Sequence, residues 1–414
     1  MNSILEPTEG RKRYIVSYKQ KTKRANKDLD KTALLQQNVG PHLDFVDVLQ
    51  MQASFAPPAD PEGLIALDIN DFMLPTVFAS LTEKEVESLS KDPNVDKVEP
   101  DGMVYATGSN ANPAIPLGIG MLDTSSPMLK DSSDPSMQAY IPWGISTIGA
   151  TSCWEATQAK GIWVAVIDTG IWSHKDLAGN FMGGVSFVPG ETYLDGNGHG
   201  THVAGTIAAR MNGGIVGVAP SAYVYGIKVL RNNGAGAWSW LMSALYWMRK
   251  NYGCLFDVAN MSMGGTGAPS ALEAYINYAA QTTLLVAAAG NNGGAVIQPA
   301  RYTSCLAVSA IDSANTIASF SSRGPQIELC APGVNILSTL PGNRYGYLSG
   351  TSMAAPHVSG AAALCRGTHR GNSMQKIRKI LLSTATDLGS GGRDNLYGYG
   401  RVNCPGAVFH KTCS

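Results

Sequence analysis

The segment W-V-A-V-I-D-T-G, residues 163–170, predicts the fold because an unbroken apolar run leads directly into an aspartate and a glycine turn. Its apolar residues do not alternate with polar ones, as they would in a strand with one face in water. Such runs are typical of parallel strands buried on both faces of a sheet. The same character is shared by four further runs, at residues 223–229, 258–261, 284–289 and 306–311.

Helical stretches separate these runs and cover residues 199–210, 237–250, 270–282 and 352–366. The alternation of strand and helix predicts an α/β fold with a doubly wound, mostly parallel sheet. Ligands of such sheets bind beyond the carboxyl ends of the strands. Asp168 and Asn291 each follow a predicted strand, and His199 and Ser352 each begin a predicted helix. We therefore expect these four residues to converge on one edge of the sheet.

These four side chains are the parts of a nucleophilic catalytic site. A serine hydroxyl is a poor nucleophile until a base removes its proton, and the base needs a partner that fixes its tautomer. We interpret Ser352 as the nucleophile, His199 as the general base and Asp168 as the orienting carboxylate. Asn291 is expected to donate a hydrogen bond to the developing oxyanion.

Each residue also has a structural alternative. Ser352 could be a helix N-cap. Asp168 could simply open a turn, because Asp-Thr-Gly is a sequence that favours turns. A histidine could be a buried core residue whose ring nitrogens are hydrogen-bonded. The glycines beside all three residues and their joint presence favour the catalytic interpretation. The structural interpretation is applied to the remaining histidines, which are His42, His174, His202, His357, His369 and His410.

Ser262, Met263, Gly264 and Gly265 end a predicted strand with two glycines. Such an edge pairs readily with an extended peptide, and the alternative is a loop that enters a helix. Asn260-Met261-Ser262 matches a glycosylation acceptor, but it lies in a predicted core strand, so this interpretation is rejected.

Composition excludes several classes of partner. The 414 residues include 31 Lys+Arg and 31 Asp+Glu, so the formal net charge is zero. The overall charge therefore gives no reason to expect nucleic acid or an anionic membrane as a partner. No apolar run approaches the roughly 18 residues of a membrane span, and residues 1–14 show no secretory signal. Seven cysteines without Cys-x-x-Cys spacing predict one to three disulfides with at least one free thiol. The alternative is that all of them are reduced and buried.

Composition also divides the chain. Residues 11–107 form a small, charged α+β unit with strands predicted at 14–18, 64–69 and 95–98 and a helix at 81–89, where Thr82 and Glu85 make a capping box. Residues 108–137 have the composition of a linker. Residues 138–414 hold the α/β domain.

At these motifs the chain resembles the subtilisin-like serine proteases. The resemblance spans about Gln138 to Val408 and rests on Val166–Gly170, Gly198–His202 and Gly350–Pro356. Shorter matches are Pro142–Ser146, Gly217–Pro220, Ala331–Val334 and Thr339–Gly342.

The resemblance implies a serine endopeptidase with Asp168, His199 and Ser352 as its triad. Asn291 would join the Ser352 backbone N–H in the oxyanion hole. Ser262 to Gly265 would line the substrate cleft with Ala289 and Gly290. Protein or peptide substrates, a monomeric extracellular enzyme and no cofactor for the chemistry are the further expectations. The cleft segments contain no acid to receive a basic side chain, so we expect apolar or medium-sized residues before the cut.

The N-terminal unit resembles, more weakly, the inhibitory propeptide of the same family. Tyr14-Ile15-Val16 and the segment 92–99 carry this match. It implies a zymogen with a ferredoxin-like α+β domain that assists folding, inhibits the enzyme and is removed by it. The expected junction is near Ala106-Thr107.

A structural calcium ion is a further implication of the resemblance. Asp176 matches a carboxylate of the family's calcium site, but residues 210–214 are shorter than the usual loop and lack its Asn/Asp pair. The glutamine ligand that the resemblance implies would lie near Gln138.

Two rival functions follow from the same residues. One is an esterase with this triad, although the Gly-x-Ser-x-Gly elbow is absent. The other is a catalytically silent binding protein held by its propeptide, which the intact triad and Asn291 disfavour.

Overall fold

The computed structural model describes residues 10–19, 76–107, 120–121, 139–252 and 255–411. The strands in these ranges are β1 Lys12–Tyr18, β2 Thr76–Leu81, β3 Val95–Pro100, β4 Met103–Ala106, β5 Gly120–Met121, β6 Trp163–Asp168, β7 Phe181–Ser186, β8 Tyr223–Lys228, β9 Ala235–Ala237, β10 Val258–Met261, β11 Met263–Gly264, β12 Leu284–Ala288, β13 Cys305–Ile311, β14 Ile327–Pro332, β15 Ile336–Leu340 and β16 Arg344–Leu348. The α-helices are α1 Glu83–Ser90, α2 Trp143–Thr147, α3 His199–Ala208, α4 Trp238–Tyr252, α5 Leu272–Ala279, α6 Thr351–Thr368, α7 Met374–Ser383 and α8 Cys404–Val408. None of the helices in these ranges is both long and apolar enough to cross a membrane.

The central sheet within the described part of the chain has seven strands in the order β7-β8-β6-β10-β12-β13-β14. Every neighbouring pair in it is parallel. The predicted α/β architecture is confirmed, and the five predicted strands are all present within one residue at each end. The sequence pattern missed both edge strands, β7 and β14, because their polar and glycine residues interrupt the apolar runs.

Both faces of this sheet are buried, as the unbroken apolar runs predicted. In β6, Val164 and Val166 face one core, which includes residues of α3 and α6. Ala165 and Ile167 face the other core, which includes residues of α4 and α5. Successive side chains of a strand point to opposite faces, so a strand covered on both sides needs an apolar residue at every position.

The chain reverses its direction of winding at β6. It proceeds from β6 to β7 and β8 on one side of the sheet and then crosses to β10 on the other. The neighbours β6 and β10 are in parallel register, with Ile167 opposite Met261. Asp168 and Ser262 therefore leave the sheet side by side, at the kind of switch point where α/β sheets bind ligands.

The N-terminal unit contains a three-stranded antiparallel sheet in the order β2-β1-β3, covered by α1. The predicted capping box is confirmed: Thr82 accepts from the Glu85 backbone N–H, and the Glu85 carboxylate accepts from the Thr82 N–H at 2.7 Å. Because Thr82 is the cap, the helix begins at Glu83, and Leu81 belongs to β2 instead. The strand predicted at 64–69 lies outside the described residues. So does the predicted linker 108–137, apart from the two residues of β5.

The N-terminal unit packs against α4 and α5 of the larger domain. Ile15 of β1 is fully buried in the same core as the residues of these helices. Asp101 accepts from the Ser239 N–H at 3.0 Å and from its hydroxyl at 2.6 Å, at the start of α4. Glu99 accepts from the Ser270 hydroxyl at 2.7 Å, just before α5. Two carboxylates of one unit thus cap two helices of the other, where the positive ends of the helix dipoles favour them.

The five described cysteines, Cys153, Cys305, Cys330, Cys365 and Cys404, are all buried and free. The expectation of one to three disulfides finds no bond among them, and Cys254 and Cys413 lie outside the described residues. Burial raises the pKa of the Cys305 thiol to about 12 and that of the Cys153 thiol to about 11. These side chains are therefore neutral members of the apolar core.

A proline inside α6 ties this helix to the end of β10. Pro356 has no N–H, so the carbonyl of Ser352, four residues earlier, lacks its helical donor. The Ser262 hydroxyl donates to that carbonyl at 2.8 Å instead. Asn260 in turn donates to the Ser262 hydroxyl at 2.9 Å and accepts from Ser359 at 2.9 Å. Asn260 is fully buried in β10, which agrees with its rejection as a glycosylation site.

We predict that Ser262→Ala lowers the free energy of unfolding by about 1–3 kcal/mol because it leaves the buried Ser352 carbonyl without a donor. In a Pro356→Ala background the helix supplies its own N–H, so the same substitution should cost clearly less. Denaturant unfolding measures both costs, in chains that also carry Ser352→Ala so that the nucleophile predicted from the sequence is absent. Ser243→Ala is the matched control, because that buried hydroxyl has no partner among the described residues. Equal costs in the two backgrounds would contradict this account.

Candidate active site

Asp168 and His199 form a buried pair at the carboxyl edge of the sheet. Asp168 ends β6, His199 begins α3, and the His199 Nδ1 lies 2.7 Å from the Asp168 Oδ1. A carboxylate can only accept, so Nδ1 carries the hydrogen and Nε2 keeps its lone pair. Nε2 is buried and makes no hydrogen bond to any residue in the described ranges. This tautomer is the one that a general base requires.

Two opposing effects set the pKa of His199. Burial is the largest single effect and disfavours the charged imidazolium, but the charge and hydrogen bond of the adjacent Asp168 carboxylate, together with the charge of Asp195 and other neighbours, stabilise the imidazolium by more in sum. The pKa of His199 is therefore raised above its ordinary value.

Glycines allow α3 to approach the turn after β6 this closely. A Cβ at Gly200 would collide with the carbonyl oxygen of Gly170, and Gly170 itself has a φ of +100°. That conformation is readily adopted by glycine and strained for other residues. The glycines in the two motifs are thus explained by the contact between the turn and the helix.

Sequence reasoning missed Asp195, a buried carboxylate that joins the turn to the helix. Its Oδ1 accepts from the Thr169 hydroxyl at 2.9 Å, and its Oδ2 accepts from the Thr201 N–H and hydroxyl at 2.9 and 2.6 Å. The Thr169 hydroxyl accepts from the Gly200 N–H at 2.9 Å. Asp195 therefore fixes the position of His199 relative to Asp168. The available signal was an aspartate four residues before the histidine, in the segment Asp195–His199.

Lys228 is a second residue that the sequence did not reveal. It is fully buried at the end of β8, opposite Asp168 in the sheet. Its ammonium donates to the Thr169 carbonyl at 2.6 Å and lies 3.2 Å from a Glu191 carboxylate oxygen. Burial lowers its pKa, and the Glu191 carboxylate opposes that shift. This cation stabilises a site that otherwise concentrates buried carboxylates.

Ser352 lies in the first turn of α6, as its second residue, and its hydroxyl makes no capping hydrogen bond. The alternative interpretation as a plain N-cap is therefore wrong, because Gly350 occupies the cap position. The hydroxyl instead contacts the Thr107 carbonyl oxygen and lies 2.6 Å from the Thr107 hydroxyl. The Thr107 carbonyl group therefore lies directly at the predicted nucleophile.

Asn291 presents a free amide donor beside Ser352. Its Oδ1 accepts from the Thr351 N–H at 2.8 Å and the Thr351 hydroxyl at 2.9 Å. A backbone N–H can only donate, so this contact assigns the two ends of the Asn291 side chain. Its Nδ2 is buried and has no partner among the described residues. An unpaired, preorganised amide is suited to an oxyanion that forms only during reaction.

The predicted cleft holds an extended segment of the same chain. Strand β4 pairs with β11 on one side, with Ala106 opposite Met263, and with β9 on the other. The Thr107 N–H donates to the Ser262 carbonyl at 3.1 Å. The edge formed by Ser262 to Gly265 therefore pairs with an extended strand and is not a helix-entry loop. On the other side of the cleft, the Gly290 N–H donates to the Thr351 hydroxyl at 3.1 Å, next to Ala289.

His202 and His357 are buried and are hydrogen-bonded within the structure. His202 Nε2 lies 2.9 Å from the Ile336 carbonyl, and burial lowers its pKa to about 3. His357 donates from Nδ1 to the Met353 carbonyl at 2.8 Å, and burial lowers its pKa to about 4. Both are neutral near pH 7, which agrees with the structural interpretation. His42 lies outside the described residues.

Asp176 does not sit in a cage of oxygen ligands. Its Oδ2 accepts from the Ile215 N–H at 3.0 Å and from the Tyr345 hydroxyl at 2.9 Å, and Gly213 packs directly against the carboxylate. Calcium needs six to eight oxygen ligands. The described residues contain no group of three or more His, Cys, Asp or Glu side chains that could hold a metal. Asp176 Oδ2 is therefore held by two hydrogen-bond donors, while Oδ1 is buried without a partner among the described residues. An oxygen held by donors in this way does not fit a calcium ligand, and Gln138 lies outside the described residues.

Comparison with known proteins agrees with this geometry. Residues 159–400 match the Subtilase family. An alkaline protease of Shouchella clausii is 40% identical over 371 residues, which are 88% of both chains. Subtilisin E of Bacillus subtilis is 42% identical over 341 residues, which are 80% of both chains. Subtilisin Savinase of Lederbergia lenta is 48% identical over 273 residues, 65% of this chain and 98% of that protein.

The family match covers more than half of the chain, and the relatives cover most of it. The buried Asp168–His199 pair fits the triad that such enzymes use. The chain therefore belongs to the Subtilase family and is a serine endopeptidase.

Proposed function

We propose that this endopeptidase is made as a zymogen that cuts its own chain after Thr107. The observation that carries the proposal is the contact between the Ser352 hydroxyl and the Thr107 carbonyl, with β4 paired on both sides in the cleft. In the proposed division, residues 11–107 are the propeptide, 108–137 a linker and 138–414 the catalytic domain. The cut lies one residue beyond the junction expected near Ala106-Thr107.

The proposed reaction follows from the positions of these groups. Ser352 Oγ attacks the Thr107 carbonyl carbon while His199 Nε2 takes the hydroxyl proton. Asn291 Nδ2 and the Ser352 N–H donate to the oxyanion that forms. His199 then returns the proton to the amino group of Gly108, which leaves. Water resolves the acyl-enzyme by the same proton transfers in reverse.

The propeptide is also the proposed inhibitor. It fills the cleft with β4, and its carboxylates Glu99 and Asp101 cap α5 and α4 at the rim. Arg13 adds an ion pair to Asp101 at 3.0 Å and a hydrogen bond to Ser239 at 2.6 Å. These contacts remain available after the cut, so the released fragment is expected to stay bound and inhibit.

Substrates of the mature enzyme are proposed to bind as β4 does. An extended peptide would pair with Ser262–Gly265 and β9, with its carbonyl at Ser352 and its preceding side chain beside Ala289 and Gly290. We propose a preference for small or medium apolar side chains before the cut, since no acid lies in these segments. Action as a monomer outside the cell is proposed from the family resemblance.

The proposed cut predicts that the wild type yields a new N-terminus at Gly108 and that Ser352→Ala yields none. Sequencing of the purified chains reads both outcomes. Ser349→Ala removes a hydroxyl from the same loop and serves as the control, which should mature normally. A Ser352→Ala chain that still separates after Thr107 would overturn the proposal.

The raised pKa of His199 predicts how activity depends on pH. Only the unprotonated imidazole accepts the Ser352 proton, so activity requires a pH above the pKa of His199. The Asp168 carboxylate stabilises the protonated form, so the acid limb of kcat/KM should have its midpoint above the ordinary histidine value of 6.5. A peptide substrate without ionisable groups gives this profile directly. A midpoint below 6.5 would contradict the raised pKa.

The contacts of Asp176 predict that calcium does not bind there. Removing calcium with a chelator should change the Tm of Asp176→Asn and the Tm of the wild type by the same amount. Tyr345→Phe, which removes one donor, should lower the Tm in the presence and absence of calcium alike. A calcium-dependent rise in Tm that disappears only in Asp176→Asn would show that Asp176 is a ligand.

A further inference from the structure

Lys228 is a buried cation that the proposed reaction does not use. It ends β8, and it lies opposite Asp168 of the neighbouring strand β6 with its side chain fully buried. An isolated charge is costly to bury, so a buried ammonium is found where specific partners stabilise it. Here those partners belong to the segments that carry the proposed acid–base pair.

Lys228 holds the turn that follows Asp168. Its ammonium donates to the Thr169 carbonyl at 2.6 Å. The Thr169 N–H donates to Asp168 Oδ1 at 2.7 Å, and the same oxygen lies 2.7 Å from His199 Nδ1. Hydrogen bonds from a charged donor are among the stronger ones in proteins. The ammonium therefore fixes one end of a residue whose other end orients the carboxylate.

Lys228 is also connected to the loop that leads to His199. Its ammonium donates to Asn232 Oδ1 at 3.1 Å, and the same oxygen accepts from the Gly196 N–H at 3.2 Å. The Asn232 carbonyl accepts from Asn197 Nδ2 at 2.8 Å. Asn197 Oδ1 in turn accepts from the His199 N–H at 3.2 Å. One ammonium is thus linked, through Asn232, to the backbone of the proposed base.

Charged and titratable side chains surround the His199 imidazole from the sheet, the helix and the loop before it. They are Asp168 on β6, Lys228 on β8, His202 on α3, and Glu191 and Asp195 in the loop. The two aspartates stabilise the imidazolium, and His202 is neutral near pH 7. The three carboxylates oppose the effect of burial on Lys228 and favour its protonated form. Lys228 therefore supplies positive charge beside the carboxylates that act on the imidazole.

We infer that Lys228 is a positioning residue of the reaction, which holds the Asp168 turn and the His199 loop in place and offsets the charge of the carboxylates beside the imidazole. This inference rests on the roles proposed for Asp168 and His199. Without the cation, the carboxylates would stabilise the imidazolium unopposed, and the base would stay protonated up to a higher pH. The acid limb of the activity profile should therefore move to higher pH when this charge is removed.

Three substitutions separate the effect of charge from that of position. Lys228→Met removes the charge and the donors, Lys228→Gln keeps a donor without the charge, and Lys228→Arg keeps both. The Met and Gln variants should raise the midpoint of the acid limb of kcat/KM by roughly half a pH unit or more, because a buried charge nearby is removed. The Arg variant should stay near the wild type.

Position is read from kcat at a pH above the acid limb, where His199 is unprotonated in every variant. Lys228→Met should lower this kcat by roughly tenfold or more, since it releases the turn that orients Asp168. Lys228→Gln should lower it less, because a donor to the Thr169 carbonyl remains. A peptide substrate without ionisable groups serves for all of these measurements.

Arg378→Met is the matched control for the loss of a partly buried, ion-paired cation. Arg378 donates to the Glu328 carboxylate at 2.7 and 2.9 Å, at the β14 edge of the sheet. This variant should lower the Tm without moving the midpoint. An NMR titration of the His199 imidazole in full chains that carry Ser352→Ala measures the same ionisation without activity, so it also reports on variants that do not mature.

The inference and the proposed function fail in different ways. Midpoints of Lys228→Met and Lys228→Gln that equal the wild-type value or fall below it, by activity or by NMR, overturn the role of Lys228 and leave the proposed reaction standing. If Lys228→Met does not fold, the Gln variant decides. A His199→Ala enzyme that keeps full activity overturns the proposed reaction itself, and the role of Lys228 with it.

Discussion

The hydrogen bond between Asp168 and His199 is the interaction on which the rest of the site depends. It places a carboxylate and an imidazole in a region from which water is excluded, where an unpaired charge would be costly. Asp195 and Lys228 supply what this burial requires. The first holds the turn and the helix together through Thr169 and Thr201, and the second provides a buried cation beside three carboxylates. The fold contributes the switch point between β6 and β10, where this cluster can form next to a cleft.

The cleft and the nucleophile are linked as closely as the acid and the base. Pro356 removes one helical hydrogen bond from α6, and Ser262 replaces it. The residue that pairs with Thr107 is therefore bonded to the residue that would attack it. Because both contacts are short and buried, a shift of the substrate strand is expected to alter the position of Ser352. Ser262, at the end of β10, therefore both aligns the substrate strand and stabilises α6.

Much of this could be predicted from the sequence because the relevant signals are local. Unbroken apolar runs identified five strands of the sheet, and turn chemistry placed Asp168, His199, Ser352 and Asn291 at the ends of elements. The exact start of α6 was not predictable, so Ser352 retained an N-cap alternative that the structure removes. The sequence also did not predict segments whose structure or role depends on residues far away in the chain. β4 is a strand only because β9 and β11 flank it, and the partners of Asp195 are mostly backbone groups and hydroxyls with no distinctive spacing.

The central claim is that residues 103–107 occupy the active site of their own chain. The most direct test is the rate of self-cleavage after refolding, measured over a hundredfold range of protein concentration. Cleavage within one molecule predicts a first-order rate constant that does not change with dilution. A rate constant that falls in proportion to concentration would mean that one molecule cuts another, and would contradict the account.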